Sequence, residues 1–380
     1  MRIAFVLAGL GAGGAEKVVS LLCGELLERG HEVSVIAFDR PEDPIYHAFP
    51  GAVRLHRLGV ARGGGALLKG LGANVSRARA LRQAFKALKP DIVASFLTKI
   101  NVLSVLASAG LDHRVVISER NNPSAQKANP LWNKAWTIAA RRADAVILQS
   151  EGIREVYPSD ISGRAIVIPN PVELPQLQPS KADTKVIAGV GRLTQQKGFD
   201  RLIDAYAMIA ADFPDWRLAI WGEGPLRDEL ERQAAASGFA DRISLPGNSS
   251  TPASWIEDTA IYALSSRYEG FPNVLLEAML AGLPVAAFAC DYGPAEIIND
   301  GENGMLVADQ DTGRLAAALR ALMEDAELRH RFGSNASQRA RDFSLPRIAA
   351  KWESVFESFR PHGALESDGA SSFTAAPQGD

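Results

Sequence analysis

Two carboxylates, Glu269 and Glu277, stand eight residues apart, and the sequence around the second is almost wholly apolar. Glu277 is the only charged residue between Gly270 and Cys290. Burying a carboxylate costs free energy unless a cation or hydrogen-bond donors accompany it. The simpler interpretation of Glu277 is a structural carboxylate that a neighbour satisfies, and the alternative is a carboxylate that serves a ligand.

The elements around these carboxylates favour the ligand-binding alternative. The short apolar run 261–264 predicts a buried strand, and apolar residues recur at helical spacing from Leu275 to Gly282. Gly270 and Pro272 interrupt the chain between them, and proline suits the first turn of a helix. A strand, a turn and a helix N-terminus form the mouth of an open α/β sheet, where ligands bind and anions are attracted.

Two cations, Arg192 and Lys197, occupy a loop between the predicted strand 186–190 and the helix that begins near Phe199. Cations beside helix N–H groups suit a diphosphate, although each alone is more often an ordinary surface charge. Together with Glu277 they supply what a nucleoside diphosphate requires, which is positive charge for the phosphates and a carboxylate for the ribose.

A glycine loop follows the first predicted strand, residues 2–8, with the spacing Gly9-x-Gly11-x-x-Gly14. Glycine lets the backbone approach a phosphate closely. Asp39 ends the second predicted strand, near where a ribose-binding acid belongs in an NAD site. An NAD-dependent oxidoreductase is therefore one alternative, although it leaves the cations and the carboxylate of the second half unexplained.

Composition predicts a globular chain of two domains. The sequence has 380 residues, of which 47% are hydrophobic and 22% charged. Cys23 and Cys290 lie far apart in apolar runs, which indicates buried, reduced thiols and a cytoplasmic setting. The apolar run at the N-terminus is too short for a signal peptide, and no apolar stretch reaches the roughly 18 residues of a membrane span.

The α/β alternation runs through the chain twice, with ligand-type loops at the strand ends. This predicts two Rossmann-like domains facing each other across a cleft. The linker and the tail are the segments without hydrophobic periodicity. The expected organisation is a first domain at 1–172, a linker at 173–184, a second domain at 185–342, a C-terminal helix at 343–359 and a disordered tail at 360–380.

The segment 54–89 contains no acidic residue and interleaves arginines and lysines with leucines. It predicts either a solvated helix face or a basic amphipathic segment that rests on anionic lipid. Nucleic acid is not an expected partner, because no aromatic interleaving or nucleic-acid motif accompanies the charge. In the other half, Asp309 and Asp311 form a D-x-D pattern ahead of a predicted helix, and a helix N-cap explains it better than a metal site does.

These motifs, taken in order, resemble a large family of retaining glycosyltransferases with the two-domain GT-B fold. The span Glu269 to Glu277 resembles that family's E-x7-E motif. The glycine loop, Pro169-Asn170-Pro171, the loop 222–225 and Gly293-Pro294 also match, so that the resemblance covers residues 1 to about 359. It is strongest to bacterial transferases that build lipid-linked oligosaccharides and exopolysaccharides, GalNAc transferases among them, because Ser118-Glu119-Arg120-Asn121 resembles their Ser-Glu-His-Asn or Ser-Glu-Arg-Asn motif.

The resemblance implies roles for individual residues. The catalytic candidates are Glu269, beside the transferred sugar, with Glu119 and Arg120 at the end of a strand in the first domain. Arginine does not give up its proton in this pH range, so Arg120 is expected to position groups and not to act as a base. The implied donor-binding residues are Gly13, Gly14, Arg192, Lys197, Pro246, Phe271, Asn273, Val274, Leu275 and Glu277.

The resemblance further implies an activity. The expected reaction moves a hexose or N-acetylhexosamine from a UDP-sugar to a lipid-linked or glycan acceptor, with retention of configuration and without a metal or other cofactor. The expected location is the cytoplasm, peripheral on the anionic inner face of the membrane. A non-catalytic nucleotide-sugar sensor and a GT-B-like UDP-sugar 2-epimerase are further alternatives.

Overall fold

The structure is a computed structural model. It describes residues 1–60, 67–120, 130–174, 184–249, 251 and 253–360, and of residues 67–71 it describes the backbone alone. Much of the predicted linker, the tail beyond Arg360, and Asn121 lie outside the described residues. Within them, two parallel sheets with helices on their faces form two Rossmann-like domains, as the sequence predicts.

The first domain has a seven-stranded sheet in the order β3-β2-β1-β4-β5-β6-β7. Its central strands are continuous apolar runs, because helices cover a parallel sheet on both faces. The strands are β1 Arg2–Leu7, β2 Glu32–Ala37, β3 Arg54–Arg57, β4 Ile92–Phe96, β5 Arg114–Glu119, β6 Ala145–Leu148 and β7 Ala165–Val167. The helices are α1 Gly14–Glu28, α2 Leu67–Leu88, α3 Thr98–Ser108, α4 Pro130–Arg142, α5 Glu151–Val156 and α6 Ser159–Ser162.

The second domain has a six-stranded sheet in the order β10-β9-β8-β11-β12-β13. Its strands are β8 Val186–Val190, β9 Arg217–Trp221, β10 Ile243–Gly247, β11 Ile261–Leu264, β12 Val285–Phe288 and β13 Met305–Val307. Its helices are α7 Phe199–Ala207, α8 Arg227–Ala236, α9 Asn273–Leu280, α10 Pro294–Ile297, α11 Thr312–Glu324 and α12 Ala326–Ala340.

The last helix, α13 Leu345–Glu357, returns to the first domain. Its fully buried Trp352 and Phe356 belong to the same apolar core as Phe5 and Leu22 of that domain. His31 and Arg29 at the end of α1 hold Glu353 of this helix at 2.8 and 2.9 Å. The chain therefore crosses between the domains twice.

The basic segment 54–89 does not form one continuous amphipathic element. Arg54–Arg57 is the edge strand β3, paired with β2 alone, and α2 begins only at Leu67. Arg57 is buried against Asp39, and Arg82 donates to the carbonyls of Ala107 and Ala109, so neither side chain is free for lipid. This edge strand has half-buried and polar side chains and lacks the continuous apolar run of a central strand, which is why the sequence analysis does not predict it. In the described part of the chain, no helix is both long and apolar enough to cross a membrane.

Candidate active site

A cavity of about 920 Å³ lies between the two domains, at the carboxyl ends of both sheets. The first domain contributes the glycine loop, through Ala12 and Gly14, and the aromatic side chain of Tyr46. The loops after β8, β9, β10 and β11 contribute the rest. Among these residues are Arg192, Lys197, Trp221, Asn248, Ser249, Tyr262, Glu269, Phe271, Asn273 and Val274.

Lys197 and Glu269 meet at the floor of the cavity because β8 and β11 are neighbours in the sheet. Glu269 Oε1 accepts hydrogen bonds from Lys197 Nζ at 2.6 Å and from Ser266 Oγ at 2.6 Å. Only 5% of Glu269 is exposed, so these donors compensate a carboxylate that water barely reaches. The ion pair holds both side chains in a fixed geometry.

Arg192 differs from Lys197 because its charge is not engaged. Its side chain lines the cavity and is exposed, and it has no ion pair in the described part of the chain. The loop that carries it depends on glycine: a Cβ on Gly222, at a φ of 135°, would lie 2.0 Å from the carbonyl oxygen of Gly191. Arg192 is the cation best placed to receive a diphosphate.

Glu277 lies in the first turns of α9 and is buried to 7% exposure. Its Oε1 forms an ion pair with Nζ of Lys17, which projects from α1 in the first domain. Sequence reasoning missed Lys17, since nothing in its local pattern separates it from an ordinary helix-surface lysine. The ion pair supports the structural interpretation of Glu277. Glu277 itself does not line the cavity, although Asn273 and Val274 at the start of the same helix do.

Tyr262 on β11 is fully buried, and its hydroxyl has no hydrogen-bond partner within the described ranges. Burial, together with the nearby Glu269 and Glu277, raises the pKa of this phenol well above its ordinary value. The hydroxyl therefore stays protonated at the edge of the cavity.

Two sequence families match this chain. Residues 173–339 match the family described as Glycosyl transferases group 1, and residues 12–176 match Glycosyltransferase Family 4. The two matches meet at the boundary between the domains and together span residues 12–339. The chain is a glycosyltransferase, with the group 1 match in its second domain and the Family 4 match in its first.

Individual relatives agree with this assignment. An alpha-1,4-N-acetyl-D-galactosaminyltransferase of Campylobacter jejuni, whose name includes a diNAcBac-PP-undecaprenol-linked GalNAc disaccharide, is 27% identical over 93% of this chain and 97% of its own. Sucrose-phosphate synthase of Thermosynechococcus elongatus superposes with a TM-score of 0.80, at 22% identity, over 94% of this chain and 98% of its own. The Anabaena protein HepE in complex with UDP-glucose superposes with a TM-score of 0.76, at 20% identity, over 94% and 100%. The last two show the shared GT-B fold.

Most of the expected donor-binding residues lie on the cavity of this glycosyltransferase. Gly14, Arg192, Lys197, Phe271, Asn273 and Val274 line it, and Gly13 caps α1 beside it. Pro246, Leu275 and Glu277 do not line it. Pro246 is exposed on β10, where Asn248 and Ser249 just beyond it reach the cavity, and Leu275 is fully buried in the core of the second domain. Glu277 is paired with Lys17 instead.

Glu119 and Arg120 of the glycosyltransferase do not line the cavity. The Arg120 guanidinium lies in the first domain, 5.4 and 5.5 Å from the ring centres of Phe96 and Trp352. Burial lowers its pKa to about 9, so it remains a cation at neutral pH. Glu119 is buried to 2% exposure and accepts a hydrogen bond from Thr98 Oγ1 at 2.8 Å.

Two expectations about acidic residues are settled by hydrogen bonds. Asp39, the ribose-binding acid of the NAD alternative, accepts from Arg57 Nη2 at 2.7 Å and from the backbone N–H of Leu10 at 2.9 Å, so the first domain itself uses this carboxylate. Asp311 accepts from the backbone N–H of Arg314 at 2.9 Å, which confirms the N-cap interpretation. In the described part of the chain, no cluster of three His, Cys, Asp or Glu side chains is arranged to hold a metal ion.

Proposed function

We propose that this glycosyltransferase moves a hexose or N-acetylhexosamine from a UDP-sugar to a lipid-linked or glycan acceptor, with retention of anomeric configuration. The observation that carries the proposal is that Arg192 and Lys197 line one cavity between the domains, and that Glu277 lies one turn of α9 beyond the lining residue Asn273. A nucleoside diphosphate requires cations for its phosphates and a carboxylate for its ribose, and the cavity together with the helix at its border supplies both.

The phosphates of the donor belong near Arg192 and Lys197. Arg192 has no competing carboxylate, and its planar guanidinium suits two phosphate oxygens at once. Lys197 keeps Glu269 as its partner, at 2.6 Å, and shares its remaining donors with the ligand. These cations stabilise the negative charge that grows on the diphosphate as the sugar leaves, so we propose that the reaction proceeds without a divalent ion.

Retention by front-face displacement agrees with the state of Glu269. A carboxylate is a weaker nucleophile when a cation shares its negative charge, and Oε1 of Glu269 accepts from Lys197 and Ser266. We assign Glu269 to hold the transferred sugar, and the departing diphosphate to take the proton of the acceptor hydroxyl. Tyr46, 63% exposed on the first-domain side of the cavity, offers the entering acceptor an aromatic surface.

One surface of the first domain combines exposed apolar side chains with cations, which would suit a lipid-linked acceptor. Exposed apolar side chains recur on three adjacent helices, with Val75 on α2, Leu106 on α3, and Leu131 and Ile138 on α4. Exposed cations accompany them on α2, among them Arg79 and Lys86. Apolar side chains among cations bind anionic lipid surfaces peripherally, and we propose this contact at the inner face of the membrane. The C. jejuni relative, which carries undecaprenol in its name, supports this acceptor class.

The decisive experiment incubates the protein with a panel of UDP-sugars and an undecaprenyl-diphosphate-linked glycan, and follows UDP release and product anomeric configuration by NMR. We expect one UDP-sugar to yield an α-linked product from an α-linked donor. Tight UDP binding without transfer to any acceptor would indicate a sensor. Conversion of the UDP-sugar to its 2-epimer would indicate an epimerase, and an inverted product would contradict retention.

A further inference from the structure

The two domains of this enzyme are joined beside the cavity by the ion pair of Lys17 and Glu277, which lie about one turn of α1 and α9 beyond the lining residues Gly14 and Asn273. Lys17 retains 28% and Glu277 retains 9% of its side-chain exposure, so the pair is largely shielded from water. An ion pair of this kind interacts more strongly than a surface pair, and loss of one partner leaves the other charge uncompensated. Glu277, the carboxylate expected to bind the ribose, is therefore paired with a cation of the opposite domain.

The backbone of Lys17 is held firmly in place. It lies in α1, where Val18, Val19 and Leu22 are buried in the core of the first domain. The start of the same helix also touches α9, because a Cβ on Gly14 would lie 3.4 Å from Nδ2 of Asn273. The glycine loop and Lys17 thus lie together against the N-terminal half of α9.

The two oxygens of Glu277 are not equivalent. Lys17 occupies Oε1, and no hydrogen bond from the described residues reaches Oε2. We propose that Lys17 is a donor-positioning residue, which stays on Oε1 and holds the carboxylate so that Oε2 receives the ribose hydroxyls. This inference rests on the proposed function, since it takes the ligand to be a UDP-sugar.

Donor binding then depends on both domains. The cations for the phosphates belong to the second domain, but the ribose contact depends on a lysine of the first. Donor affinity then falls when the domains separate, and a bound donor in turn favours the closed arrangement. The opposite possibility, a lysine that blocks Glu277 and leaves when the donor enters, predicts tighter binding once Lys17 is removed.

The test measures UDP and UMP affinity by titration calorimetry on the full chain. Lys17→Met keeps most of the aliphatic stem and removes the charge. We expect it to weaken UDP binding about tenfold to a hundredfold, the range for a charge-assisted contact. Lys17→Arg should bind within about threefold of the wild type, because a guanidinium also pairs with Oε1. Lys185→Met, which removes an exposed ion pair with Asp215 in the second domain, is the matched control and should leave affinity unchanged.

Two further comparisons separate positioning from direct phosphate contact. Lys17→Met should weaken UMP and UDP by equal factors, since the lysine acts through the ribose. In a Glu277→Gln background, Lys17→Met should cost less than a further twofold, because the contact that it supports is already gone. Thermal unfolding of every variant verifies that each is folded.

The proposal is overturned if Lys17→Met binds UDP as tightly as the wild type or more tightly. It is equally overturned if its effect is larger for UDP than for UMP, or multiplies with that of Glu277→Gln. A wild-type protein that binds no uridine nucleotide at all would instead overturn the proposed function, so the two failures are distinguishable.

Discussion

Asn170 and Asn273 connect the two domains through a side-chain hydrogen bond: Nδ2 of Asn170 donates to Oδ1 of Asn273 at 2.7 Å. Asn170 in turn accepts from Nη1 of Arg120 at 2.6 Å. Arg120 therefore reaches the first residue of α9 through Asn170. Arg120 does not line the cavity, and these contacts predict that it positions Asn273, which does.

The first prediction concerns this chain of contacts. Arg120→Ala should lower turnover at least tenfold and also lower the free energy of unfolding by about 3 kcal/mol, because it breaks a buried, charge-assisted network. Asn170→Ala should lower turnover by a similar factor, since it cuts the same connection to Asn273. UDP affinity should change less than threefold in both variants. Steady-state kinetics, UDP titration and denaturant unfolding measure the three effects.

Arg164→Ala is the control for this experiment, because Arg164 also donates to backbone carbonyls of the first domain but does not contact the second. It should reduce stability and leave turnover unchanged. Normal turnover in Asn170→Ala combined with inactive Arg120→Ala would show that Arg120 acts directly and not through Asn170.

The sequence predicts local arrangements well and side-chain directions poorly. Glu269 and Lys197 are placed correctly, because each follows a strand and parallel strands bring their carboxyl ends together. Arg120 also stands at a strand end as expected. Its guanidinium turns inward because Trp352, from a helix near the end of the chain, provides a ring 5.5 Å away. The local sequence around Arg120 does not indicate that Trp352 will be its neighbour.

A partner that is distant in sequence also explains why sequence reasoning missed Lys17. Its relevance depends on how one domain is placed against the other, and a helix-surface lysine carries no periodic signal of that placement. The α/β alternation, by contrast, repeats in every unit of the chain. The two sheets therefore follow from the sequence, while the ion pair across the cleft requires coordinates.

Arg192 and Lys197 should respond differently to substitution. Arg192 has no ion pair in the part of the chain that the structure describes, so Arg192→Ala should weaken UDP binding about tenfold and leave stability unchanged. Lys197→Ala should weaken binding and also destabilise the protein, because it leaves Glu269 buried without its cation. The measurement is UDP titration alongside thermal unfolding. If the two variants melt at the same temperature, Lys197 does not stabilise the fold through its ion pair, and the proposed difference from Arg192 is wrong.

Turnover should survive removal of divalent ions. The basis is the pair of cations beside the cavity, together with the use of Asp311 as a helix cap. Initial rates should be equal after dialysis against EDTA and after addition of Mg²⁺ or Mn²⁺. If activity is lost on chelation and restored by one of these ions, a metal ion is needed to neutralise the diphosphate.

The protein should bind vesicles that contain anionic lipid, and the binding should weaken as salt rises, because exposed charges are screened. Arg79→Glu with Lys86→Glu, both on the exposed side of α2, should abolish co-sedimentation. Arg314→Glu with Arg331→Glu makes the same change of charge in the second domain and serves as the control. Co-sedimentation that is insensitive to salt, or lost equally in both double variants, would contradict a surface on the first domain.

The last prediction concerns the helix that returns to the first domain. Burial disfavours the charged form of Glu353, but the hydrogen bonds from His31 and Arg29 outweigh it and lower the pKa of this carboxyl below its ordinary value of 4.5. A carboxylate with a lowered pKa stabilises the folded state above its unfolded-state pKa, and this contribution is lost as pH falls through the folded-state pKa. The window therefore lies below about pH 4.5.

Glu353→Gln removes this titration and keeps the shape of the side chain. The wild type should melt at a higher temperature than this variant at pH 5, and the difference should shrink steadily as the pH is lowered through 4 and toward 3. Glu357→Gln, an exposed position one turn later on α13, should show no such pH-dependent difference. A gap in melting temperature that stays constant between pH 5 and pH 3 would mean that Glu353 holds α13 by packing alone, and that its charge contributes nothing to anchoring the helix on the first domain.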